Sequence, residues 1–169
     1  MRIEGILFDK DGTLFDFNAT WGSWTQGLLA DEGGGDAALV ANLADVLGYD
    51  LATSLFRPDS IVIANTASFV ADAILPLLPP QSKAELIARM NAKSAHAPQA
   101  EATPLGPLLH DLAMRGLRLG VATNDAEAPA RAHLEAAGVV DRFDFIAGFD
   151  SGFGAKPSAG QLLAFSAHV

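Results

Sequence analysis

The sequence predicts an α/β protein in which a parallel sheet, covered by helices, is interrupted by a long all-helical insert. Three observations predict it. Short apolar runs that stop at polar loops recur at residues 5–8, 117–122 and 143–147. Helical stretches separate or precede the later runs, as a parallel sheet requires. Between the first and second runs lies a stretch with the pattern of several helices and no convincing strand.

Taken in order, Gly5-Ile6-Leu7-Phe8 is the pattern of a buried strand, and it ends at Asp9, with Gly12-Thr13 close behind. The insert, residues 18–98, reads as four helices. The first covers about residues 19–30 and is broken by Gly33-Gly34-Gly35; the second lies near 36–47. A third is expected over 59–75, ended by Pro76 and Pro79-Pro80. The fourth starts at Ser82-Lys83-Ala84-Glu85, a capping-box pattern in which hydroxyl and carboxylate each satisfy a free backbone N–H. Beyond the insert, a helix over 106–115 closes at Gly116, and the second strand stops at Thr123-Asn124-Asp125. A helix over 126–137 closes at Gly138 and leads to the third strand, which stops at Gly148. Ser158 and Gln161 form a second capping-box pattern opening the last helix.

The totals narrow the function. Half of the 169 residues are hydrophobic, which marks a globular chain. A net charge of -9 argues against nucleic acid, whose phosphates are bound through clustered Lys and Arg. It does not exclude a phosphorylated small molecule, because a metal ion and one or two lysines can set the local field. With no cysteine there is neither disulfide nor thiol chemistry. Met1-Arg2-Ile3-Glu4-Gly5 lacks the apolar stretch of a signal peptide, and the longer apolar runs are broken too early for a membrane helix. The expectation is a cytoplasmic protein without membrane attachment.

The chemistry centres on Asp9-Lys10-Asp11-Gly12-Thr13, two carboxylates two residues apart just past a strand end. Like charges this close call for a cation, and magnesium suits a site offering few carboxylates. One carboxylate can act as nucleophile while the other moves protons. Gly12 lets the chain turn away without a side chain obstructing a ligand. Lys10, between two charged neighbours, reads as a solvated side chain.

Phe8-Asp9-Lys10-Asp11-Gly12-Thr13-Leu14 resembles the first motif of the haloacid dehalogenase superfamily. Val121-Ala122-Thr123-Asn124 and Lys156-Pro157 resemble its second and third motifs, in the right order. The resemblance implies a Rossmann-like core of residues 1–17 and 99–169 and a helical cap of residues 18–98. It implies Asp9 as nucleophile, Asp11 as the acid and base, and Mg²⁺ held by the Asp9 carboxylate and the Asp11 backbone carbonyl. Thr123, with the Asn124 N–H and Gly12 beside it, would bind the phosphoryl group, and Lys156 would neutralise charge. Because Asp11 is present, phosphate chemistry is expected and not dehalogenation.

Thr13 would orient Asp11 or serve as a turn hydroxyl. Trp21, Trp24 and Arg57 are the cap's candidates for substrate contact, although aromatic residues at helical spacing also describe a core. Asp150 reads as a loop aspartate, Asn124 and Asp125 double as helix-cap candidates, and the four histidines, lacking metal-ligand spacing, are structural or exposed.

The family's fourth motif, an acidic pair after a further strand, has no counterpart before Val169. The expectation is a sequence cut short of that motif. The predicted function is a Mg²⁺-dependent phosphatase for a small phosphorylated metabolite, similar to phosphoglycolate phosphatases. The alternatives are a sugar phosphomutase and a catalytically incomplete binding or regulatory module; the oligomeric state stays open.

Overall fold

In the computed structural model, residues 3–169 are described; Met1 and Arg2, part of the amino-terminal stretch considered above, lie outside them. The elements in order are β1 (Gly5–Phe8), α1 (Phe17–Gly33), α2 (Ala37–Leu47), β2 (Tyr49–Asp50), β3 (Leu55–Phe56), α3 (Ala67–Ile74) and α4 (Lys83–Ala95). They continue with α5 (Leu105–Met114), β4 (Arg118–Ala122), α6 (Glu127–Ala136), β5 (Phe145–Ala147) and α7 (Gly160–His168). The chain divides into two compact units, one running to Asp16 and resuming at Gln99, the other Phe17–Pro98.

The first unit is built on a parallel sheet in the order β1-β4-β5. Its register sets Ile6 beside Leu119 and Phe8 beside Val121, with Val121 in turn beside Ile146. Because side chains alternate along a strand, these residues share one face. There they pack with Leu105 and Leu109 of α5 and Leu134 of α6. The opposite face carries Gly5 and Gly120, which leave room for Phe165 of α7. A Cβ on Gly5 would come within 2.8 Å of the Phe165 ring, and one on Gly120 within 2.7 Å. Helices thus cover both faces of a parallel sheet, the α/β class that the sequence predicts.

The second unit is mainly helical, around Trp24, Leu28, Leu47, Ile74, Leu86 and Met90. Asp36 caps α2, its Oδ1 accepting from Ala38 and Leu39 N–H at 2.8 and 3.2 Å, and Gly48 closes that helix. Four local expectations need correction. The unit also carries a two-stranded antiparallel hairpin, β2–β3, with Tyr49 opposite Phe56. Asp50 accepts the Ala52 and Thr53 N–H groups to make its turn, and these bonds hold the Asp50 carboxyl below its ordinary value.

The helix expected over 59–75 begins only at Ala67. Ahead of it Ser60 donates to the Leu47 carbonyl and accepts from Val62, which fixes a non-helical turn. Ser82 precedes α4 but makes no side-chain cap bond. Gln161 is not a capping residue either, because it is buried beneath the loops described below. Among the described residues no helix is long and apolar enough to cross a membrane.

Candidate active site at the carboxyl ends of the strands

Asp9 follows the last residue of β1, Thr123 the last of β4 and Gly148 the last of β5. Parallel pairing therefore delivers their loops to one end of the sheet, where ligands bind in open α/β folds. The loop after β1 turns at once. Gly12, with φ at 78°, donates its N–H to the Phe15 carbonyl at 2.8 Å, and Leu14 and Phe15 both donate to the Lys10 carbonyl. A left-handed residue is needed at that corner, and glycine adopts it without steric strain.

Lys156, in the loop before α7, reaches back across the sheet end. Its Nζ lies 2.6 Å from Asp9 Oδ1 and 3.1 Å from the Ala122 carbonyl. The Lys10 N–H donates to the same Asp9 oxygen at 2.8 Å, so two donors anchor Oδ1 of this carboxylate. Thr123 is buried, its Oγ1 3.4 Å from Asp11 Oδ2 and accepting from the Asp125 N–H at 3.0 Å. The structure thus brings Asp9, Asp11, Gly12, Thr123, Asn124 and Lys156 to one place. Asn124 contributes more than a backbone N–H: its side-chain amide bonds both the N–H and the carbonyl of Lys156.

Lys10 is not solvated. It is fully buried, with Nζ 2.8 Å from Asp11 Oδ1, 2.9 Å from His133 Nδ1 and 3.2 Å from Asp125 Oδ2. The sequence gives little sign of this, because Lys10 stands between two aspartates and its other partners lie more than a hundred residues away. The positive charge that two adjacent carboxylates require is thus met in part by the protein itself. Burial pushes the Asp125 carboxyl up to about 6; the Lys10 ammonium works against this rise and the Asp11 charge adds to it.

The loop after β5 is clasped to the start of α6. The Glu127 N–H donates to Asp150 Oδ1 at 2.8 Å, which makes Asp150 a helix-terminus acceptor, in keeping with a loop aspartate. Ser151 donates to Glu127 Oε2 at 2.5 Å and accepts from the Gly148 N–H. That hydroxyl, more than Arg131, holds the Glu127 carboxyl below its usual range, against the opposing pull of burial. Underneath, buried Gln161 donates through Nε2 to the carbonyls of Thr123 and Gly148, both at 3.1 Å. Sequence reasoning missed Lys10, Asp125, His133 and Gln161 as site-building residues.

Trp21, Trp24 and Arg57 belong to the second unit. Trp24 is buried, with its Nε1 donating to the Met90 carbonyl and its ring 5.2 Å from that of Trp21. Arg57 is held by Asp45 through Oδ1 at 3.0 Å and the backbone carbonyl at 2.7 Å. Thr13 is exposed, and no hydrogen bond joins it to Asp11 among the described residues.

Among the described residues no group of three or more Asp, Glu, His or Cys side chains is arranged to hold a metal ion, and the Asp11, His133 and Asp125 side chains that meet do so around the Lys10 ammonium. Among the described residues the Asp11 backbone carbonyl receives no backbone N–H, and the nearby Asp9 carboxylate keeps its second oxygen clear of the two donors on Oδ1. One carboxylate and one carbonyl fit magnesium, which keeps much of its octahedral shell as water and phosphate oxygens.

Residues 6–167 match the family model of the haloacid dehalogenase-like hydrolases, and the chain belongs to that family. Phosphoglycolate phosphatase of Rhodospirillum rubrum is 47% identical over 57 residues, a match spanning 34% of this chain and 24% of that protein. A predicted phosphoglycolate phosphatase of Haemophilus somnus 129PT is structurally similar with a TM-score of 0.67 and 15% identity, over 98% of this chain and 71% of the other. The HAD-hydrolase YfnB of Bacillus subtilis, solved with magnesium bound, gives 0.63 and 16% identity, over 100% of this chain and 73% of the other. At these identities the structural likenesses establish the fold.

Proposed function

We propose that the protein is a Mg²⁺-dependent phosphatase acting on a small phosphorylated metabolite through an aspartyl-phosphate on Asp9. The observation that carries this reading is the 2.6 Å contact between Lys156 Nζ and Asp9 Oδ1, which joins residues 147 positions apart at the end of the sheet. A nucleophilic carboxylate beside a fixed ammonium is what attack on a phosphate ester needs, since the ester's negative charge would otherwise repel the carboxylate.

In the first step an Asp9 carboxylate oxygen attacks phosphorus and the bond to the ester oxygen breaks. Asp11 gives its proton to the departing alkoxide. In the second step Asp11, now a carboxylate, takes a proton from water, and the resulting hydroxide attacks the phosphorus of the aspartyl-phosphate. Asp9 is restored and inorganic phosphate leaves. The Thr123 hydroxyl, the Asn124 N–H and Lys156 hold the phosphoryl oxygens through both steps, and Gly12 keeps the approach clear. Magnesium, held by the Asp9 carboxylate and the Asp11 carbonyl, would supply Lewis-acid neutralisation of the phosphoryl charge.

The sequence match to phosphoglycolate phosphatase supports phosphoglycolate or a similar small phosphate ester as substrate. Of the second unit's candidates, Trp24 is a core residue, and Trp21 and Arg57 are the proposed substrate contacts; Arg57, partly exposed although paired with Asp45, is the one suited to an anion. The test is phosphate release from a generic aryl phosphate with Mg²⁺ and with EDTA. Release that depends on Mg²⁺ supports the reading, and folded protein that releases none overturns it. Transfer of the phosphoryl group to a sugar hydroxyl in preference to water would identify a phosphomutase instead.

A further inference from the structure

We infer that Lys10 is a positioning residue for Asp11, locked by His133 and Asp125 so that one oxygen of the Asp11 carboxylate is occupied and the other is presented to the reaction. The inference deepens the proposed function and rests on it, because it takes Asp11 to be the group that moves the proton.

The geometry supports it in three ways. First, an ammonium has three N–H donors and no acceptor, and Lys10 Nζ meets an acceptor on each of Asp11, His133 and Asp125. His133 Nδ1 must therefore accept, which puts the ring proton on Nε2. Second, the acceptors on the far side are themselves fixed. Asp125 Oδ1 takes the Ala126 N–H at 2.9 Å, and the Asp125 N–H binds Thr123 Oγ1. His133 projects from α6 and is 1% exposed. Lys10 is therefore tethered on three sides, and it in turn holds Asp11 Oδ1 at 2.8 Å. Third, Asp11 Oδ2 stays on the side of Thr123, 3.4 Å from its hydroxyl, where a phosphoryl group would lie.

A buried cluster of one ammonium, two carboxylates and an imidazole is a poor way to gain stability, because taking charges out of water offsets most of their attraction. Its position directly behind the proton-carrying residue gives it a different use. General acid–base catalysis depends on holding the carboxyl within hydrogen-bond reach of the leaving oxygen.

The test compares the full chain with Lys10→Met, His133→Leu and His133→Gln. Two readouts are used: kcat and KM for Mg²⁺-dependent aryl phosphate hydrolysis, and the ¹³C resonance of the Asp11 carboxyl at fixed pH without substrate. A misplacement of about 1 Å can cost ~100-fold in rate, so Lys10→Met is expected to lower kcat at least ~10-fold with KM within about twofold. His133→Leu should lower kcat severalfold and shift the Asp11 resonance. His133→Gln keeps an acceptor for Lys10 and should restore both, which a purely structural role would not do.

Should Lys10→Met fail to fold, the two His133 variants decide the matter alone. The inference is overturned if kcat in an active parent is unchanged in folded Lys10→Met or His133→Leu. It is also overturned if Leu and Gln at 133 behave alike, or if the Asp11 resonance ignores them. An inactive parent would sink the phosphatase reading, and the Asp11 resonance would then judge the positioning by itself. The same parent NMR sample should place the His133 ring proton on Nε2; protonation of Nδ1 would overturn the inference.

Discussion

Asn124 grips Lys156 at both ends of one residue, its Oδ1 accepting the Lys156 N–H at 2.8 Å and its Nδ2 donating to the Lys156 carbonyl at 3.0 Å. The pair behaves like a rung between the β4 loop and the loop before α7. It fixes the backbone from which the Lys156 side chain reaches Asp9.

Asn124→Ala should therefore slow phosphate release while leaving the sheet intact. Loss of this double bond lets the ammonium wander from Asp9, and a drop of roughly 10- to 100-fold in kcat/KM is expected, as for other small misplacements of catalytic groups. Steady-state kinetics with circular dichroism as a fold control checks it. Asn124→Asp keeps only the acceptor and should fall between the two.

Stability should carry the mark of Asp125. Its carboxyl is raised from 3.8 to about 6 in the folded protein, chiefly by burial. Between those values the native state binds a proton that the unfolded chain has released, so this contribution to stability is present below about pH 4 and is lost as pH rises through 6. The gap is worth ~3 kcal/mol. The groups around it are Lys10 and Asp11 from the β1 loop and, across Lys10, His133 from α6. Denaturant unfolding at pH 4 and pH 7, compared between the parent and Asp125→Asn, should show that decline in the parent and not in the variant.

Gln161→Leu tests how the loops are anchored. Its buried Nε2 bonds the Thr123 and Gly148 carbonyls. Gly148 keeps a bond from the Ser151 N–H, at 3.3 Å, so the loss falls mainly on Thr123. A buried carbonyl left without its donor costs ~1–3 kcal/mol, which a denaturation midpoint will register. Activity should fall as well, because Thr123 is then free to shift from its place beside Asp11.

Two glycine substitutions separate close approach from mere flexibility. A Cβ on Gly148 would sit 2.3 Å from the Glu127 nitrogen and 2.7 Å from the Ala126 carbonyl carbon, backbone atoms that cannot step aside. Gly148→Ala should destabilise by ~1–3 kcal/mol or more, in the range of overpacked sites. Gly106, in the first turn of α5, has nothing within 4 Å of its would-be Cβ. There alanine should stabilise by up to ~1 kcal/mol through helix propensity. Thermal melts of the two variants, read side by side, make the comparison.

The parts of this protein that were legible in its sequence are those encoded by near neighbours. An apolar run ending at Asp9, a second ending at Thr123 and a third ending at Gly148 announce buried strands with polar loops, and the sheet forms with those strands. Gly116 and Gly138 close α5 and α6 with positive φ. What escaped was short or distant. The strands β2 and β3 hold two residues each, too few for any alternation to register.

Lys10 looks solvated from its neighbours alone, and only the fold brings His133, 123 positions away, against its ammonium. Ser82-Lys83-Ala84-Glu85 has the composition of a capping box, but composition does not oblige a hydroxyl to turn toward its helix. Gln161 fits a capping pattern equally well, yet the sheet draws it beneath two loops, where its amide is worth more as a buried donor.

The most direct measurement is an acid quench of the full chain during turnover with a ³²P-labelled aryl phosphate and Mg²⁺, followed by peptide mapping. Label on the peptide containing Asp9, sensitive to hydroxylamine and absent in Asp9→Asn along with turnover, is the predicted result. Sustained phosphate release by a folded Asp9→Asn variant, or label on another residue, would contradict Asp9 as the nucleophile.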